Sequence, residues 1–250
     1  MEVKIYNDYQ ALSAQVADDV IHLVKQNPEA VLCMASGDTP KLCCQLLVQK
    51  ATSENIDFSN VTFIGLDEWV GIDATNEGSC RFFFEKNLLD PLRFRQSNVR
   101  LFNGLSDDLD GECERMDAFI KATGPIDLMI VGIGMNGHIG FNEPGVSFDL
   151  YAHVAELDKT TTSVGQKYFN TAIRLDRGIT LGFKHLMESR KLILMANGAK
   201  KAGVIKKAVE DEVSNIFPAT VIQSHSNAVV MVDKDAASLL QNSLSVAANK

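Results

Sequence analysis

Cysteine is scarce in this sequence, and its number and spacing argue against a fold stabilised by zinc and against one stabilised by disulfides. The 250 residues include five cysteines, none of which forms a C-x-x-C pair: Cys33, Cys43, Cys44, Cys80 and Cys113. Zinc sites commonly use such pairs, and secreted disulfide frameworks use even numbers of cysteines. The sequence therefore predicts neither a metal site nor disulfides, and it favours a reducing compartment. No apolar run stands near Met1, so we expect no signal peptide and a cytoplasmic protein.

Positive charge and long apolar runs are also in short supply. Lysine and arginine number 24 against 32 aspartates and glutamates, which gives a formal net charge of −8. This excess of negative charge disfavours a nucleic-acid-binding surface, and no apolar run approaches the roughly 20 residues of a membrane-spanning helix. We therefore expect no nucleic-acid partner and no membrane partner. A small anionic ligand remains compatible with this charge, because a few lysines and backbone amides suffice for one phosphate.

What the sequence does contain is an alternation of short apolar segments and helical periods. Strands are predicted over residues 30–34, 61–66, 126–131, 179–181, 191–196 and 228–232. Helices are predicted over residues 8–26, 42–51, 79–88 and 109–122. A further helix is predicted to follow the loop 197–201 and to end at Val209, and a short one is predicted at 234–240. Such alternation is typical of an α/β fold, so we predict a single doubly wound, mostly parallel, Rossmann-like sheet with helices on both faces. We expect one domain over residues 1–250, in which the Thr-rich segment 146–177 lacks a period and forms a mobile lid.

The stretch 126–144, I-D-L-M-I-V-G-I-G-M-N-G-H-I-G-F-N-E-P, places a glycine-rich loop directly after a predicted buried strand. Gly132, Gly134 and Gly137 match the G-x-G-x-x-G fingerprint of dinucleotide-binding proteins, but that motif requires a helix that begins at the third glycine. Further glycines and Pro144 follow, and they disfavour such a helix. We therefore expect no nicotinamide or flavin cofactor. We expect the glycines instead to let the backbone approach a small ligand in an active-site loop.

Polar side chains follow four of the predicted strands. They are Ser36 to Thr39 after the strand at 30–34, Asp67 and Glu68 after that at 61–66, Asn136, His138 and Glu143 after that at 126–131, and Lys201 after that at 191–196. Because parallel strands end at one edge of the sheet, where such folds bind ligands, we expect these groups to meet. The first loop, with Pro40 in the next helical turn, is suited to aim backbone N–H groups at an anion. Two plainer interpretations stay open, in which Thr39 caps a helix and Asp67 caps a turn.

The combination of an anion-binding loop, a carboxylate and a histidine suits proton transfer on a sugar phosphate. A carboxylate can remove a proton next to a carbonyl, while an imidazole moves protons at an oxygen. The metalloprotease motif H-E-x-x-H and the serine-hydrolase motif G-x-S-x-G are both absent from the sequence.

L-D-E-W-V-G at 66–71, together with G-I-G-M-N-G-H-I-G-F-N-E-P at 132–144, closely resembles the glucosamine-6-phosphate deaminase/isomerase family, which includes galactosamine-6-phosphate isomerases. The likeness extends over nearly the whole chain. It implies a Rossmann-like fold, no cofactor, and conversion of an amino-sugar 6-phosphate to a ketose 6-phosphate plus ammonia. The F-N-E-P ending differs from the related 6-phosphogluconolactonases; lactonase activity is one alternative and a non-catalytic sugar-phosphate sensor another. The resemblance also implies a monomer or small homo-oligomer, because allosteric hexamers of the family have a longer C-terminal region.

The resemblance assigns roles by motif position. Asp67 would move a proton between C2 and C1 through an enolamine, and His138 would open the pyranose ring, oriented by Glu143 and Asn136. The implied phosphate-binding residues are Ser36, Gly37, Thr39, Lys201 and Lys167, and the implied substrate-loop glycines are Gly134 and Gly137.

Three residues depart from the family's usual pattern. Many members carry Asp at position 136, and the Asn found here can orient an imidazole but stabilises its cation less. Asp38 places a negative charge beside the proposed phosphate loop, so its side chain must point away. Lys167 stands where Arg is common, so a point charge replaces a bidentate fork.

Overall fold

The computed structural model describes residues 1–241 and contains ten strands and seven α-helices in that range. The strands are β1 (Glu2–Tyr6), β2 (Val31–Met34), β3 (Thr62–Gly65), β4 (Asp67–Trp69), β5 (Val99–Arg100), β6 (Leu128–Val131), β7 (His153–Glu156), β8 (Arg177–Thr180), β9 (Leu192–Ala196) and β10 (Ala228–Asp233). The helices are α1 (Tyr9–Gln26), α2 (Asp38–Ser53), α3 (Cys80–Phe84, continued by a π-helical turn), α4 (Leu109–Thr123), α5 (Lys159–Gly165), α6 (Phe183–Glu188) and α7 (Ala202–Glu210).

Seven parallel strands form the central sheet in the order β1-β10-β9-β6-β2-β3-β5. Every residue of β2, β6 and β9 is buried, as expected for strands covered on both faces. In β6, Met129 and Val131 pack with α4 and α7 on one face, while Leu128 and Ile130 pack with α1 and α2 on the other. The predicted doubly wound α/β fold is therefore confirmed.

The strand order explains why four polar loops meet. From β2 the chain moves outward to β3 and β5, whereas from β6 it moves the other way to β9 and β10. The neighbours β2 and β6 therefore form the topological switch point, where doubly wound sheets leave a crevice beyond the strand ends. The carboxyl ends of β9, β6, β2 and β3 lie side by side there, and each leads into one of the predicted polar loops.

A second, antiparallel sheet in the order β4-β8-β7 was not predicted. Only Leu66 separates β3 from β4, and Asp67 pairs with Thr180 of β8. Strands of three or four residues are too short to show a sequence period, which is why β4 and β7 were missed. Because Asp67 lies in a strand, the alternative in which it only caps a turn is wrong.

Two other expectations also need correction. Residues 234–240 form turns rather than a helix. The Asp233 carboxylate accepts the N–H of Ala236, as a helix N-cap would, but the backbone bonds of Ser238 to Asp235 and of Leu240 to Ala237 span three residues rather than four. The segment 146–177 is not unstructured, since β7 and α5 lie within it. Strand β1, which pairs with β10 at the sheet edge, follows Met1 in a stretch that sequence analysis left unassigned. Within residues 1–241, no helix is both long and apolar enough to cross a membrane.

Candidate active site

A cleft of about 770 Å³ opens at the carboxyl ends of the four adjacent strands. Eight of the residues predicted from the sequence line it: Ser36, Gly37, Thr39, Asp67, Gly134, His138, Lys167 and Lys201. Asn136 and Glu143 do not line the cleft and instead contact His138 from behind. The volume exceeds what one hexose phosphate needs, so the cleft can admit such a ligand with its surrounding water.

One end of the cleft is formed by the first turn of α2. Gly37 precedes this helix with a φ of 110°, a backbone conformation that favours glycine. The N-cap residue is Gly37, which has no side chain, so the alternative in which Thr39 is the N-cap is wrong. The backbone N–H groups of the first turn and the positive end of the helix dipole lie at a cavity that Ser36 and Thr39 also line. This arrangement suits a phosphate-sized anion.

Two lysines approach this end of the cleft from different elements. Lys201 follows β9, and its Nζ donates a hydrogen bond to the carbonyl of Ile133 at 2.5 Å. Burial lowers the pKa of Lys201, and the positive charge of Lys167 lowers it further. Lys167 lies just after α5, and its Nζ is 2.7 Å from the carboxylate of Asp38.

Asp38, whose side chain was expected to point away from any bound phosphate, is itself among the residues that line the cleft. Its carboxylate is 68% exposed and paired with Lys167. Its negative charge is therefore offset by one of the two lysines predicted to hold the phosphate. Desolvation lowers the pKa of Lys167, but hydrogen bonding and charge interaction with Asp38 and with Tyr168 outweigh it, so the net pKa is raised and the lysine stays charged.

Asp67 lies on the wall of the same cleft, at the start of β4. Burial raises the pKa of its carboxyl to about 7, the neighbouring Glu68 adds to the rise, and a hydrogen bond from the Cys80 thiol opposes it. A carboxylate that titrates near neutrality is a suitable general base, because it is ionised in a useful fraction and still accepts a proton readily.

Glu68, the second carboxylate predicted at this edge, points away from the cleft. Its side chain is buried and accepts the backbone N–H groups of Trp69, Cys80 and Arg81 at 2.9 to 3.0 Å. It thereby ties β4 to the first turn of α3. Burial raises its pKa and these hydrogen bonds oppose the rise.

His138 is held from behind by a short hydrogen-bonded chain. The Asn136 amide donates from Nδ2 to Glu143 Oε2 at 2.8 Å, which turns its Oδ1 towards His138 Nδ1 at 2.7 Å. Oδ1 can only accept, so Nδ1 carries the proton and Nε2 is the unprotonated nitrogen available to a ligand. Burial lowers the pKa of His138 to about 4, and the charge of Lys201 contributes. The imidazole is therefore neutral near pH 7.

The two glycines predicted for the substrate loop differ in position. The His138 ring lies directly over Gly134, where a Cβ would collide with it. Gly137 does not line the cleft; its φ is 86°, and the ring of Phe217 occupies the space of a Cβ. We therefore assign Gly137 to the turn that carries His138 rather than to the cleft wall.

Two residues at this site were not singled out as functional from the sequence. Thr161 of α5 places its Oγ1 3.0 Å from His138 Nδ1, and Cys80 of α3 donates its thiol to Asp67 Oδ1 at 3.5 Å. Both come from segments that approach the cleft only in the folded chain, so spacing gave no signal for them. Across residues 1–241, no group of three or more His, Cys, Asp or Glu side chains is placed to hold a metal ion.

Comparisons with known proteins agree with the geometry. A family model described as glucosamine-6-phosphate isomerases/6-phosphogluconolactonase matches residues 7–231. A glucosamine-6-phosphate deaminase from Thermoanaerobacter sp. (strain X514) is 36% identical over 241 residues, which are 96% of this chain and 95% of the relative. Glucosamine-6-phosphate deaminase 1 from Bacillus subtilis (strain 168) is 33% identical over 240 residues, or 96% of this chain and 98% of the relative.

Solved structures extend the comparison. The structure of a monomeric glucosamine-6-phosphate deaminase superposes with a TM-score of 0.93 at 33% identity and covers 96% of this chain and 100% of that one. A 6-phosphogluconolactonase from Trypanosoma brucei, at 19% identity, covers 96% of this chain and 98% of its own with a TM-score of 0.79, and it shares the fold.

Proposed function

Because the chain belongs to the family of glucosamine-6-phosphate isomerases and 6-phosphogluconolactonases, we propose that it is an enzyme that deaminates an amino-sugar 6-phosphate. The substrate is glucosamine-6-phosphate or its galactosamine epimer, and the products are a ketose 6-phosphate and ammonia. The observation that carries this proposal is that Asp67 and His138 line one cleft beside the start of α2.

In this proposal the 6-phosphate sits at the first turn of α2. The backbone N–H groups after Gly37 and the hydroxyls of Ser36 and Thr39 bind its oxygens, while Lys201 and Lys167 supply positive charge. The sugar then extends along the cleft towards Asp67 and His138. Binding at the remote phosphate positions the reacting carbons, so that little further ordering is needed for the chemistry.

His138 opens the ring in the first step. Its neutral Nε2 takes the proton from the O1 hydroxyl and delivers it to the ring oxygen O5, so the C1–O5 bond breaks and an aldehyde forms at C1. Asn136 and Glu143 hold the imidazole in the tautomer that this step requires. Glu143 Oε2, 3.7 Å from Nδ1, stabilises the imidazolium that forms transiently.

Asp67 carries the second step. Its carboxylate removes the proton from C2 while the substrate's ammonium group passes one proton to O1, which gives an enolamine. The protonated Asp67 then returns its proton to C1, which leaves a protonated imine at C2. Water adds to C2 of the imine, ammonia departs, and the C2 carbonyl of the ketose phosphate remains. The protein residues supply the proton transfers of this scheme, and no external oxidant or reductant is needed, because C1 is reduced as C2 is oxidised.

Three wider features belong to the same proposal. The segment 146–177 acts as a lid, since Thr160, Thr161 and Lys167 from it reach the cleft wall. The free, buried cysteines suit a reducing cytoplasm, where a pathway of amino-sugar breakdown would operate. The similar solved deaminase is described as monomeric, which supports a monomer or small homo-oligomer here.

The direct test is to incubate the purified protein separately with glucosamine-6-phosphate, galactosamine-6-phosphate and 6-phosphogluconolactone. We expect ammonia and ketose phosphate from at least one amino sugar, and kcat/KM for the two epimers identifies the preferred one. Acid production from the lactone without any ammonia would establish the lactonase alternative. Binding of sugar phosphates with no product from any of the three would indicate a sensor domain.

The pH dependence of kcat/KM should have its acid limb near pH 7. Asp67 acts as a base only when ionised, and burial raises its pKa to about 7, so activity falls about tenfold per pH unit below that value. His138 does not produce this limb, because its pKa is lowered to about 4. The substrate phosphate also titrates, so its titration is followed separately by ³¹P NMR and its contribution is removed from the profile of kcat/KM. A limb near pH 4 would contradict the role of Asp67.

Lys201→Ala should raise KM by about 10- to 100-fold and change kcat by no more than about threefold, because a phosphate handle contributes mainly uniform binding. Steady-state kinetics with the preferred amino sugar measures both constants. Lys206→Ala is the matched control, since it removes the same charge from α7 at a residue outside the cleft lining. If KM is unchanged in the Lys201 variant, this lysine does not bind the phosphate.

Asp38→Asn should lower KM by about threefold without changing kcat. The substitution removes a negative charge beside the phosphate loop and releases Lys167 from its ion pair. The effect is modest because the pair is exposed, and it should shrink as the salt concentration rises. A higher KM in the variant would mean instead that Asp38 holds Lys167 in its binding position.

A further inference from the structure

The thiol of Cys80 is directed at the reacting side of the cleft. Cys80 is the first residue of α3, is 4% exposed, and lines the cleft between the phosphate loop and Asp67. Its Sγ donates a hydrogen bond to Asp67 Oδ1 at 3.5 Å. In the proposed reaction Asp67 is the reacting group on this wall of the cleft, and the Cys80 thiol has no role.

Cys80 is fixed in place by the residue that follows Asp67 in the chain. Glu68 Oε1 accepts the backbone N–H of Cys80 at 3.0 Å and that of Trp69 at 2.9 Å, while Oε2 accepts the N–H of Arg81 at 2.9 Å. The Ser79 side chain completes the turn by accepting the N–H of Phe82. The start of α3 and the start of β4 are therefore locked together, and their side chains at 80 and 67 face each other across this joint.

The thiol can act here only as a hydrogen-bond donor. Burial and the nearby carboxylates of Glu68 and Asp67 hold the pKa of Cys80 well above its usual range, so it stays protonated. Besides Cys80, the titratable groups close enough for their charge to interact with that of Asp67 include Glu68 on β4 and Cys33 on β2, and the pKa of Cys33 is likewise raised by burial. Cys80 therefore supplies the donor that opposes the effects of burial and of Glu68 on the Asp67 carboxyl.

On the basis of the proposed function, we infer that Cys80 is a positioning residue for the general base: its thiol orients the Asp67 carboxylate towards C2 of the sugar and favours the ionised form. It touches the base rather than the substrate. A serine, with a hydroxyl donor of similar size, preserves this role, whereas an alanine removes it.

The test compares Cys80→Ala, Cys80→Ser and the control Cys113→Ala, which removes another buried thiol, on α4 and outside the cleft lining. The first readout is the titration of the Asp67 carboxyl in the free protein, by NMR with ¹³C-labelled aspartate and with Asp67→Asn to assign the signal. The second is the pH profile of kcat/KM.

We expect the Asp67 titration and the acid limb to move up by about half a pH unit in Cys80→Ala, and kcat to fall about three- to tenfold. Cys80→Ser should return the Asp67 titration and the acid limb to the wild-type pH or below it, and it should restore kcat. Cys113→Ala should match the wild type. Unchanged titration and pH profile in Cys80→Ala would overturn the inference, as would equal losses in the Ala and Ser variants. The NMR titration needs no turnover, so failure of the deaminase proposal would show separately, as a wild-type protein that releases no ammonia.

Discussion

Asp67→Asn is expected to lower kcat for amino-sugar phosphate deamination by about 10³-fold, which lies within the range for loss of a general base. An amide is nearly the same size as the carboxylate but cannot accept the C2 proton. Binding should remain close to that of the wild type, because the phosphate is held at the far end of the cleft by α2 and the lysines. The measurement is steady-state release of ammonia, together with the Kd of a ligand that cannot react.

A suitable unreactive ligand is the alditol 6-phosphate obtained by reducing C1 of the amino sugar, since it can neither close a ring nor form an enolamine. Its Kd should change by no more than about threefold in Asp67→Asn. The thermal unfolding midpoint should not fall, because the variant removes a carboxyl whose pKa is raised by burial and which is therefore costly to ionise. Parallel losses of binding and turnover would assign Asp67 a structural role instead.

His138→Ala is expected to reduce kcat by about 10²-fold, since ring opening loses its proton carrier. The step can be isolated in the Asp67→Asn background, where the substrate binds without being consumed. In that background, exchange between the α and β anomers of the bound sugar, followed by NMR, should be faster than in solution. Adding His138→Ala should return the exchange to the uncatalysed rate.

Binding of the alditol phosphate serves as the control for His138→Ala and should be retained. An anomer exchange that persists in the double variant would show that another group opens the ring. The nearest polar neighbour of the imidazole on α5 is Thr161, and Thr161→Val would then be the next variant to examine.

The sequence was informative where a buried parallel strand runs directly into a polar loop. β2, β6 and β9 are continuous apolar runs and β3 is largely apolar, and each is followed within three residues by a glycine or a charged residue. The side chains that follow these strands had to meet, because parallel strands end at a common edge. Asp67, His138 and Lys201 accordingly line one cleft.

Other parts of the site depend on contacts between distant segments and left no local pattern. The pairing of β4 with β8 is decided by residues more than a hundred positions apart, and each strand is too short to show a period. The ion pair between Asp38 and Lys167 and the thiol contact of Cys80 with Asp67 arise only after folding. Motif position also favoured Gly137 as a substrate-loop residue. In the structure Gly137 does not line the cleft, and the ring of Phe217 packs against it.

The proposed reaction requires one carboxylate to move a proton from C2 of the sugar, and substrate deuterated at C2 tests this most directly. With the preferred amino-sugar phosphate and the wild-type protein in ordinary water, we predict that ammonia release is accompanied by cleavage of the C2–D bond, with part of the deuterium recovered at C1 of the ketose phosphate. Ammonia released with the deuterium still at C2 of an aldose phosphate would mean direct displacement of the amine by water. That result would contradict the proposed role of Asp67.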